Sequence, residues 1–384
     1  MKELILHIGQ PKAGSSSLQR TFHRSREALL EHGVLYPQTV WGVSHRVVKA
    51  HFCGIEGAQR RDVERHNNDE VAIIAEADHA WQVILDDIAK NNPEIVVLSA
   101  EQFYSIGLLA GFRQFHDEIV QMAEKVTAVV YIRAPEARHL SLCNQALRGR
   151  IVRSAPTERV AVRDKLEPYL ASDKINLCVH EFNRATLIEG DVVRDFVSRY
   201  IPTEAAKAIK WLPDDQNVSI SAEAMVLLEE ACTGKIPFVN PEDDLMVNEF
   251  RRRVVAADAN IPGKTRPAYK PGIARVIQDV FTDLDWVRDT FGIDFPKPPM
   301  LQDPPDIRAE DLKSVRDLCP IDEARYQGIL EDAKQGMDKK QPSSSTETRT
   351  LAEFLSALRF GFRFVTRPIR QSRIARKVRK TVKG

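Results

Sequence analysis

Three kinds of segment follow one another in Glu3-Leu4-Ile5-Leu6-His7-Ile8-Gly9-Gln10-Pro11-Lys12-Ala13-Gly14-Ser15-Ser16-Ser17-Leu18. An apolar run comes first, then a turn bounded by Gly9 and Gly14, and then a helical pattern. The apolar residues that share one face of this helix are Leu18, Phe22, Leu29 and Leu30. Gly33 is a C-terminal stop signal, so the stretch predicts a strand, a tight turn and a helix.

The turn has the composition of an anion site. A tight turn from a buried strand into a helix directs backbone N–H groups and the helix dipole at one place, which suits phosphate or sulfate oxygens. Lys12 adds positive charge, and Ser15, Ser16 and Ser17 add hydroxyls. The spacing Gly9-x4-Gly14 is that of a P-loop, although the ordinary P-loop has lysine after the second glycine. A plain strand–helix turn with a solvated lysine is the alternative.

Three more apolar runs alternate with helical patterns and predict buried parallel strands. They are Ile95–Leu98, Val126–Ile132 and Ile175–Val179, separated by predicted helices over 69–90, 107–125 and 135–148. Near-continuous apolar strands between helices are typical of a sheet covered on both faces. The sequence therefore predicts an α/β fold: a doubly wound, mostly parallel sheet of P-loop type. Helical C-terminal additions and a basic amphipathic tail would follow it.

A second anion-binding element follows the predicted strand at 126–132. Arg133 comes at the carboxyl end of this strand, where α/β folds bind ligands, and Ser141 lies on the following helix. A guanidinium with a nearby hydroxyl can clamp a phosphate. Taken alone, Arg133 would more simply be a surface ion pair.

At these residues the sequence resembles the sulfotransferase family, whose donor is 3′-phosphoadenosine 5′-phosphosulfate. The run from His7 to Gln19 resembles the family's 5′-phosphosulfate loop, with serines where threonines are commoner. The run from Val129 to Ser141 resembles its 3′-phosphate strand and helix. The similarity is greatest to bacterial members related to the carbohydrate sulfotransferases, and it extends more loosely over residues 3–295.

The resemblance implies roles for individual residues. Lys12 would contact the 5′-phosphosulfate and stabilise the leaving phosphate, and backbone groups from Ala13 and Gly14 to Ser15, Ser16 and Ser17 would hold the rest. Arg133 and Ser141 would bind the 3′-phosphate. The reaction would move a sulfuryl group to an acceptor hydroxyl, with a carbohydrate or glycolipid as the expected acceptor, and would need no metal.

A base is needed to deprotonate the acceptor. Glu101 is the first candidate, because it follows the strand at 95–98 and should open into the same crevice; capping of the next helix is its alternative role. The family's carbohydrate branch commonly uses a glutamate in a comparable role. His45 is the second candidate and His51 a rival, on a predicted helix around 44–51. This segment and residues 235–270 are the candidate acceptor-binding regions.

Composition narrows the class of protein. The chain has 384 residues with 43% hydrophobic and 28% charged content, which are globular values. It has no run of 18 apolar residues, and its first apolar run is too short for a signal peptide. Its five cysteines form no C-x-x-C pair, which argues against structural zinc and disulfides. We therefore expect a cytoplasmic protein.

The net charge of +1 conceals an uneven distribution. Ten Lys and Arg residues and no acidic residue lie between Arg359 and Lys383, which leaves residues 1–358 with a net charge of −9. Apolar residues at helical spacing precede and interleave with this charge from Leu351 to Val365. A basic amphipathic segment predicts peripheral association with an anionic membrane surface, here on its inner face. There are three alternatives for this segment: a helix packed on the acidic body, a free cationic tail, or a binding site for an anionic glycan. Binding of nucleic acid is not expected.

The chain is expected to have four regions: a sulfotransferase-like domain over 1–300, a helical, proline-rich extension over 301–338, a linker over 339–350 and the tail over 351–384. Two other functions stay open. One is a P-loop kinase or other NTPase, with Glu101 as a metal-associated residue. The other is a non-catalytic nucleotide-binding protein recruited to a membrane.

Overall fold

The computed structural model describes residues 1–152, 154–156, 161–212, 219–299 and 307–338. The chain divides into two compact units, Met1–Met337 and Asp338–Gly384. The predicted linker over 339–350 and the basic tail over 351–384 lie outside the described residues. Both stay predictions.

Five parallel strands form one sheet in the order β2-β3-β1-β4-β5. They are β1 (Glu3–His7), β2 (Val34–Leu35), β3 (Ile95–Ser99), β4 (Lys125–Ile132) and β5 (Ile175–Glu181). The predicted α/β class with a parallel sheet is confirmed, and the three apolar runs are β3, β4 and β5. β2 has no signal in the sequence, because two apolar residues after Gly33 carry no periodicity.

β1 lies between β3 and β4, with Leu6 opposite Leu98 on one side and Ala128 on the other. Alternate residues of a strand point to opposite faces of the sheet. Leu6 therefore joins one hydrophobic core while Ile5 joins another on the opposite face. Both faces are buried, as in a doubly wound sheet.

Helices cover the two faces. Ile84 of α4, Phe115 of α5 and Tyr169 of α7 belong to the first core, and Phe22 of α1 and Phe196 of α8 belong to the second. The helices up to α8 are α1 (Ser15–Leu30), α2 (Val48–Cys53), α3 (Arg60–Arg65), α4 (Glu70–Asn91), α5 (Phe112–Met122), α6 (Pro135–Arg148), α7 (Val162–Leu170) and α8 (Val192–Tyr200). The helix predicted over 107–125 is shorter than expected, because Glu101–Leu108 forms a 3-10 helix before it.

The helices that follow α8 are α9 (Thr203–Lys207), α10 (Ala222–Cys232), α11 (Asp244–Asn260), α12 (Ile273–Asp279), α13 (Leu284–Phe291), α14 (Val315–Leu318) and α15 (Glu323–Asp338). A third hydrophobic core is built by α10, α11, α12, α14 and α15, and α6 contributes Leu147 to it. Ala205 of α9 instead joins the second core, and Val287 of α13 joins the first. α12 and α13 are two separate helices. The chain turns between them, where the buried Asp283 carboxylate accepts the backbone N–H of Arg163 at 2.8 Å. No helix within the described ranges is long and apolar enough to cross a membrane.

Candidate functional site

The turn after β1 has the strand–turn–helix geometry that the sequence predicts. Lys12 and Gly14 both adopt the left-handed backbone conformation, with φ of 72° and 81°, and α1 begins at Ser15. For lysine this conformation is strained by about 1–2 kcal/mol. A Cβ on Gly14 would lie 2.5 Å from Val192, so both conformation and packing require glycine there.

The backbone N–H groups of the turn fall into two sets. Ala13 donates to the Gln10 carbonyl and Ser17 to the Gly14 carbonyl, at 3.2 and 3.0 Å. These two N–H groups are therefore occupied inside the turn, which corrects the prediction that all of residues 13–17 offer theirs to a ligand. The N–H groups of Gly14, Ser15 and Ser16 form no hydrogen bond within the described part of the chain. They surround the positive end of α1, which favours an anion.

The turn opens into a cavity of about 1060 Å³. The predicted site residues that line it are Lys12, Gly14, Ser15, Ser16, Ser17, Glu101, Arg133 and Ser141. Ala13 is 1% exposed and does not line it. The fold therefore brings together predicted site residues from the turn, α1, the 3-10 helix after β3, the end of β4 and α6.

Glu101 and Lys12 are electrostatic neighbours in this cavity. Burial raises the pKa of Glu101, while the positive charges of Lys12 and Arg61 and the hydroxyl of Ser15 lower it. Burial likewise lowers the pKa of Lys12, and the Glu101 charge raises it. A carboxyl group whose pKa burial has raised is a better proton acceptor than an exposed glutamate.

His45, the second candidate for the base, does not line the cavity. The structure therefore does not place it where it could accept a proton from the acceptor. The backbone N–H of Ser99 donates to His45 Nδ1 at 3.0 Å, and His45 Nε2 donates to the Pro37 carbonyl at 3.2 Å. Burial lowers its pKa to about 4. Both ring nitrogens are engaged in the protein, and α2 begins only at Val48, so His45 ties a loop to the end of β3.

His51 also lies away from the cavity. Its ring pairs with Asp78 at 2.7 Å and stacks on Trp81. The segment before it does contribute to the cavity wall through residues from Trp41 to Ser44 and through Arg46.

Gln10 is a positioning residue in the turn that no pattern in the sequence distinguishes. It is 1% exposed, and its side-chain oxygen accepts the backbone N–H of Arg133 at 2.9 Å. Its amide nitrogen donates to the Tyr104 hydroxyl at 3.2 Å. Gln10 thereby links the turn to the end of β4 and also to the 3-10 helix over Glu101–Leu108.

Arg133 lies at the centre of a group of positive side chains. Its guanidinium donates to the Lys12 carbonyl at 3.3 Å and lies 5.6 Å from the Phe182 ring centre. The charges of Arg184 and Arg266 lower its pKa, and that of Glu136 raises it, although burial is the largest influence and lowers it. Arg184 and Arg266 also line the cavity and form no ion pair among the residues described. Arg266 belongs to residues 235–270, which therefore reach the Arg133 side.

The cavity wall is strongly basic. Its charged residues are Lys12, Arg46, Arg61, Arg133, Arg148, Arg184 and Arg266, against Glu101 and Glu136. Single arginines on a short helix and in two loops give no sequence pattern, so Arg61, Arg184 and Arg266 could be found only from the fold. Their summed charge suits a ligand with several negative charges.

The described residues contain no group of three or more His, Cys, Asp or Glu side chains that could hold a metal ion. No family model, curated protein or solved structure matches this chain.

Proposed function

We propose that this protein is a sulfotransferase that moves a sulfuryl group from 3′-phosphoadenosine 5′-phosphosulfate to an acceptor hydroxyl on a carbohydrate or glycolipid. One observation carries the proposal: Lys12, Glu101, Arg133 and Ser141 line one basic cavity at the carboxyl ends of neighbouring parallel strands. Ligands of open α/β sheets bind at this edge.

The two ends of the donor match two parts of the cavity. The N–H groups of Gly14, Ser15 and Ser16, together with Lys12, suit the 5′-phosphosulfate. Arg133 and Ser141 suit the 3′-phosphate, which separates this donor from ordinary adenine nucleotides. Arg184 and Arg266 add positive charge beside Arg133.

The chemistry requires an in-line attack of the acceptor oxygen on sulfur. The S–O bond to the acceptor forms as the bond to the 5′-phosphate oxygen breaks, and negative charge develops on that oxygen. Lys12 and the N–H groups of the turn stabilise this charge. Glu101 accepts the hydroxyl proton, because its carboxylate is the negative group beside Lys12 and burial has raised its pKa.

Calorimetric titration tests the donor class. Full-length protein is titrated with 3′-phosphoadenosine 5′-phosphate and with ATP, each with and without Mg²⁺. The proposal expects tighter binding of the bisphosphate, independent of Mg²⁺. Preference for ATP with Mg²⁺ would overturn it and favour an NTPase, with Glu101 as a metal-associated residue.

Transfer itself is tested with radiolabelled donor and a panel of saccharides and glycolipids. Binding of the bisphosphate without transfer to any acceptor, and without donor hydrolysis, would favour a non-catalytic nucleotide-binding protein. The association of residues 351–384 with an anionic membrane stays a separate prediction.

A further inference from the structure

One wall of the cavity carries a positive charge that the protein does not neutralise. Around Asp62 of α3, Arg46 and Arg65 both form ion pairs with its carboxylate. Arg65 also pairs with Glu76 of α4. These two arginines and two carboxylates cancel, which leaves Arg61 as the surplus charge of the cluster.

Arg61 is oriented but not paired. Its Nε donates to the side-chain oxygen of Gln59 at 2.9 Å, and both residues line the cavity. Within the described residues its guanidinium forms no ion pair, and its two terminal nitrogens have no hydrogen-bond acceptor. A guanidinium held by Nε presents its terminal nitrogens as a fork that fits a carboxylate or a sulfate.

The strand order places Arg61 on the acceptor side. Arg133 follows β4, Lys12 follows β1 and Glu101 follows β3, and these strands are neighbours in the order β4-β1-β3. The segment that carries Trp41 and Arg61 follows β2, beyond β3, and the backbone N–H of His45 ties it to the Ser99 carbonyl at the end of β3. The order along the cavity is therefore Arg133, Lys12, Glu101, Arg61. The proposed donor occupies the first two positions, so Arg61 lies beyond the proposed base.

Trp41 supplies an aromatic surface on this wall. The Arg65 guanidinium lies 4.5 Å from its ring centre, and the indole N–H donates to Glu76. These two contacts fix the ring, yet 45% of its surface stays exposed, and it lines the cavity. A fixed, exposed aromatic ring in a polar cavity offers an apolar face to the C–H groups of a sugar.

We propose that Trp41 and Arg61 form a subsite for an acidic saccharide, with Trp41 against the sugar ring and Arg61 on a carboxylate or sulfate near the hydroxyl that accepts the sulfuryl group. This inference rests on the proposed function in one respect, namely that the bound saccharide is the substrate that accepts the sulfuryl group. It names the charge of the substrate and the residues that select it.

The test measures binding, with saturating 3′-phosphoadenosine 5′-phosphate to occupy the Arg133 side. Full-length protein is titrated with three hexasaccharides. The hyaluronan hexasaccharide carries carboxylates, the chondroitin 4-sulfate hexasaccharide carries carboxylates and sulfates, and maltohexaose carries no charge.

The variants are Arg61→Gln and Trp41→Ala. Arg60→Gln is the matched control for the first, because Arg60 is the preceding residue of α3, exposed and paired with Glu64. Trp211→Ala is the control for the second, because Trp211 is 38% exposed, lies under Arg194 and does not line the cavity.

We expect an acidic hexasaccharide to bind at least tenfold more tightly than the neutral one. Arg61→Gln should remove this preference, with a loss of about 10- to 100-fold for the acidic sugar, as for a charge-assisted pair. Trp41→Ala should weaken the acidic and the neutral sugar together. Both controls keep wild-type binding, and because they retain the basic tail they account for its non-specific attraction.

Each result decides something. Dependence on Arg61 for hyaluronan assigns a carboxylate, and dependence only for chondroitin 4-sulfate assigns an acceptor that already carries a sulfate. Equal binding of acidic and neutral sugars, or equal losses in Arg61→Gln and Arg60→Gln, would overturn the inference and leave the proposed function standing. Failure of the bisphosphate to bind would instead overturn the proposed function; Arg61-dependent binding of the acidic sugar, measured without nucleotide, would still establish the subsite.

Discussion

Lys12 and Glu101 influence each other's ionisation at the carboxyl ends of β1 and β3. Glu101 raises the pKa of Lys12, and Lys12 lowers the pKa of Glu101. Burial acts against the charged form of both groups and outweighs this attraction. Removal of either side chain should therefore shift the pKa of the other further in the direction that burial imposes.

Replacement of Lys12 should lower the rate of sulfuryl transfer and leave the protein folded. Lys12→Ala is expected to reduce sulfuryl transfer by about 10²- to 10³-fold, the usual cost of losing one group that stabilises developing charge. The measurement is kcat with labelled donor. Lys12→Gly should lose as much activity, because the same charge is removed.

The two variants differ in backbone strain, which provides the control. Glycine adopts the φ of 72° at residue 12 without the strain that alanine retains. Lys12→Gly should therefore melt at the same temperature as Lys12→Ala or higher. Near-normal turnover in either variant would contradict the role of Lys12.

Glu101→Gln should change the pH dependence of transfer as well as its rate. A base acts when deprotonated, so kcat/KM of the wild type should rise with pH through a pKa above the ordinary glutamate value, because burial raises it. In Glu101→Gln this limb should disappear and kcat should fall by about 10²- to 10⁴-fold. A retained limb of unchanged midpoint would show that another group is the base.

The sequence predicted the part of this site that depends on one short connection. A turn and the start of the helix after it depend on neighbouring residues, so the spacing of Gly9, Lys12 and Gly14 was enough to predict them. The positions of Glu101 and Arg133 could be predicted because the carboxyl ends of parallel strands meet at one edge of the sheet. The prediction for His45 was wrong. Its neighbours Ser44 and Arg46 line the cavity, but the His45 side chain is buried, and the sequence around a single histidine does not show whether it is buried.

The basic wall was not predictable for a different reason. Arg61, Arg184 and Arg266 come from α3, the loop after β5 and the loop before α12, and only the tertiary fold brings them to the cavity that Lys12 lines. Similarly, the third core joins Leu147 of α6 to Ala333 of α15, which lie far apart in the chain. Such contacts carry no local sequence signal, so the region 235–270 could be named but not assigned.

His45→Gln is expected to affect stability and leave the pH profile of transfer unchanged. The native ring is neutral with a pKa of about 4, below its unfolded value of about 6.5. The unfolded state therefore binds more protons between these values, and His45 makes the fold less stable as pH falls from 6.5 to 4. Chemical denaturation at pH 7 and pH 5 should show a smaller loss in His45→Gln than in the wild type. A change in the kinetic pH limb would restore His45 as a base.

Arg133→Ala should discriminate between nucleotides by their 3′-phosphate. The variant is expected to lose about 10- to 100-fold in affinity for 3′-phosphoadenosine 5′-phosphate, as for a lost charged hydrogen bond, and much less for adenosine 5′-phosphate. Calorimetry with the two ligands measures the difference. Equal losses for both would place the effect in the turn, through the bond from Arg133 to the Lys12 carbonyl, and would contradict the clamp.

Gly9→Ala tests whether the turn is shaped by one close contact. A Cβ on Gly9 would lie 2.2 Å from Ser15 Oγ and 3.0 Å from the His7 ring, so the hydroxyl must move or the start of α1 must shift. Overpacking of this kind costs about 1–3 kcal/mol in the free energy of unfolding. Because the displaced helix start carries the unpaired N–H groups of Ser15 and Ser16, affinity for 3′-phosphoadenosine 5′-phosphate should also fall at least tenfold.

The double variant Gly9→Ala/Ser15→Ala identifies the contact responsible. Loss of the Ser15 hydroxyl removes the 2.2 Å clash and leaves the Ser15 Cβ at 3.1 Å, so part of the stability should return and the two substitutions should be non-additive. Gly149→Ala is the control, because its new methyl group would meet only ordinary contacts at 3.4 Å or more. Strict additivity in the denaturation free energies would mean that the Ser15 hydroxyl is not the contact responsible, and the His7 ring at 3.0 Å would then be the neighbour that requires glycine at residue 9.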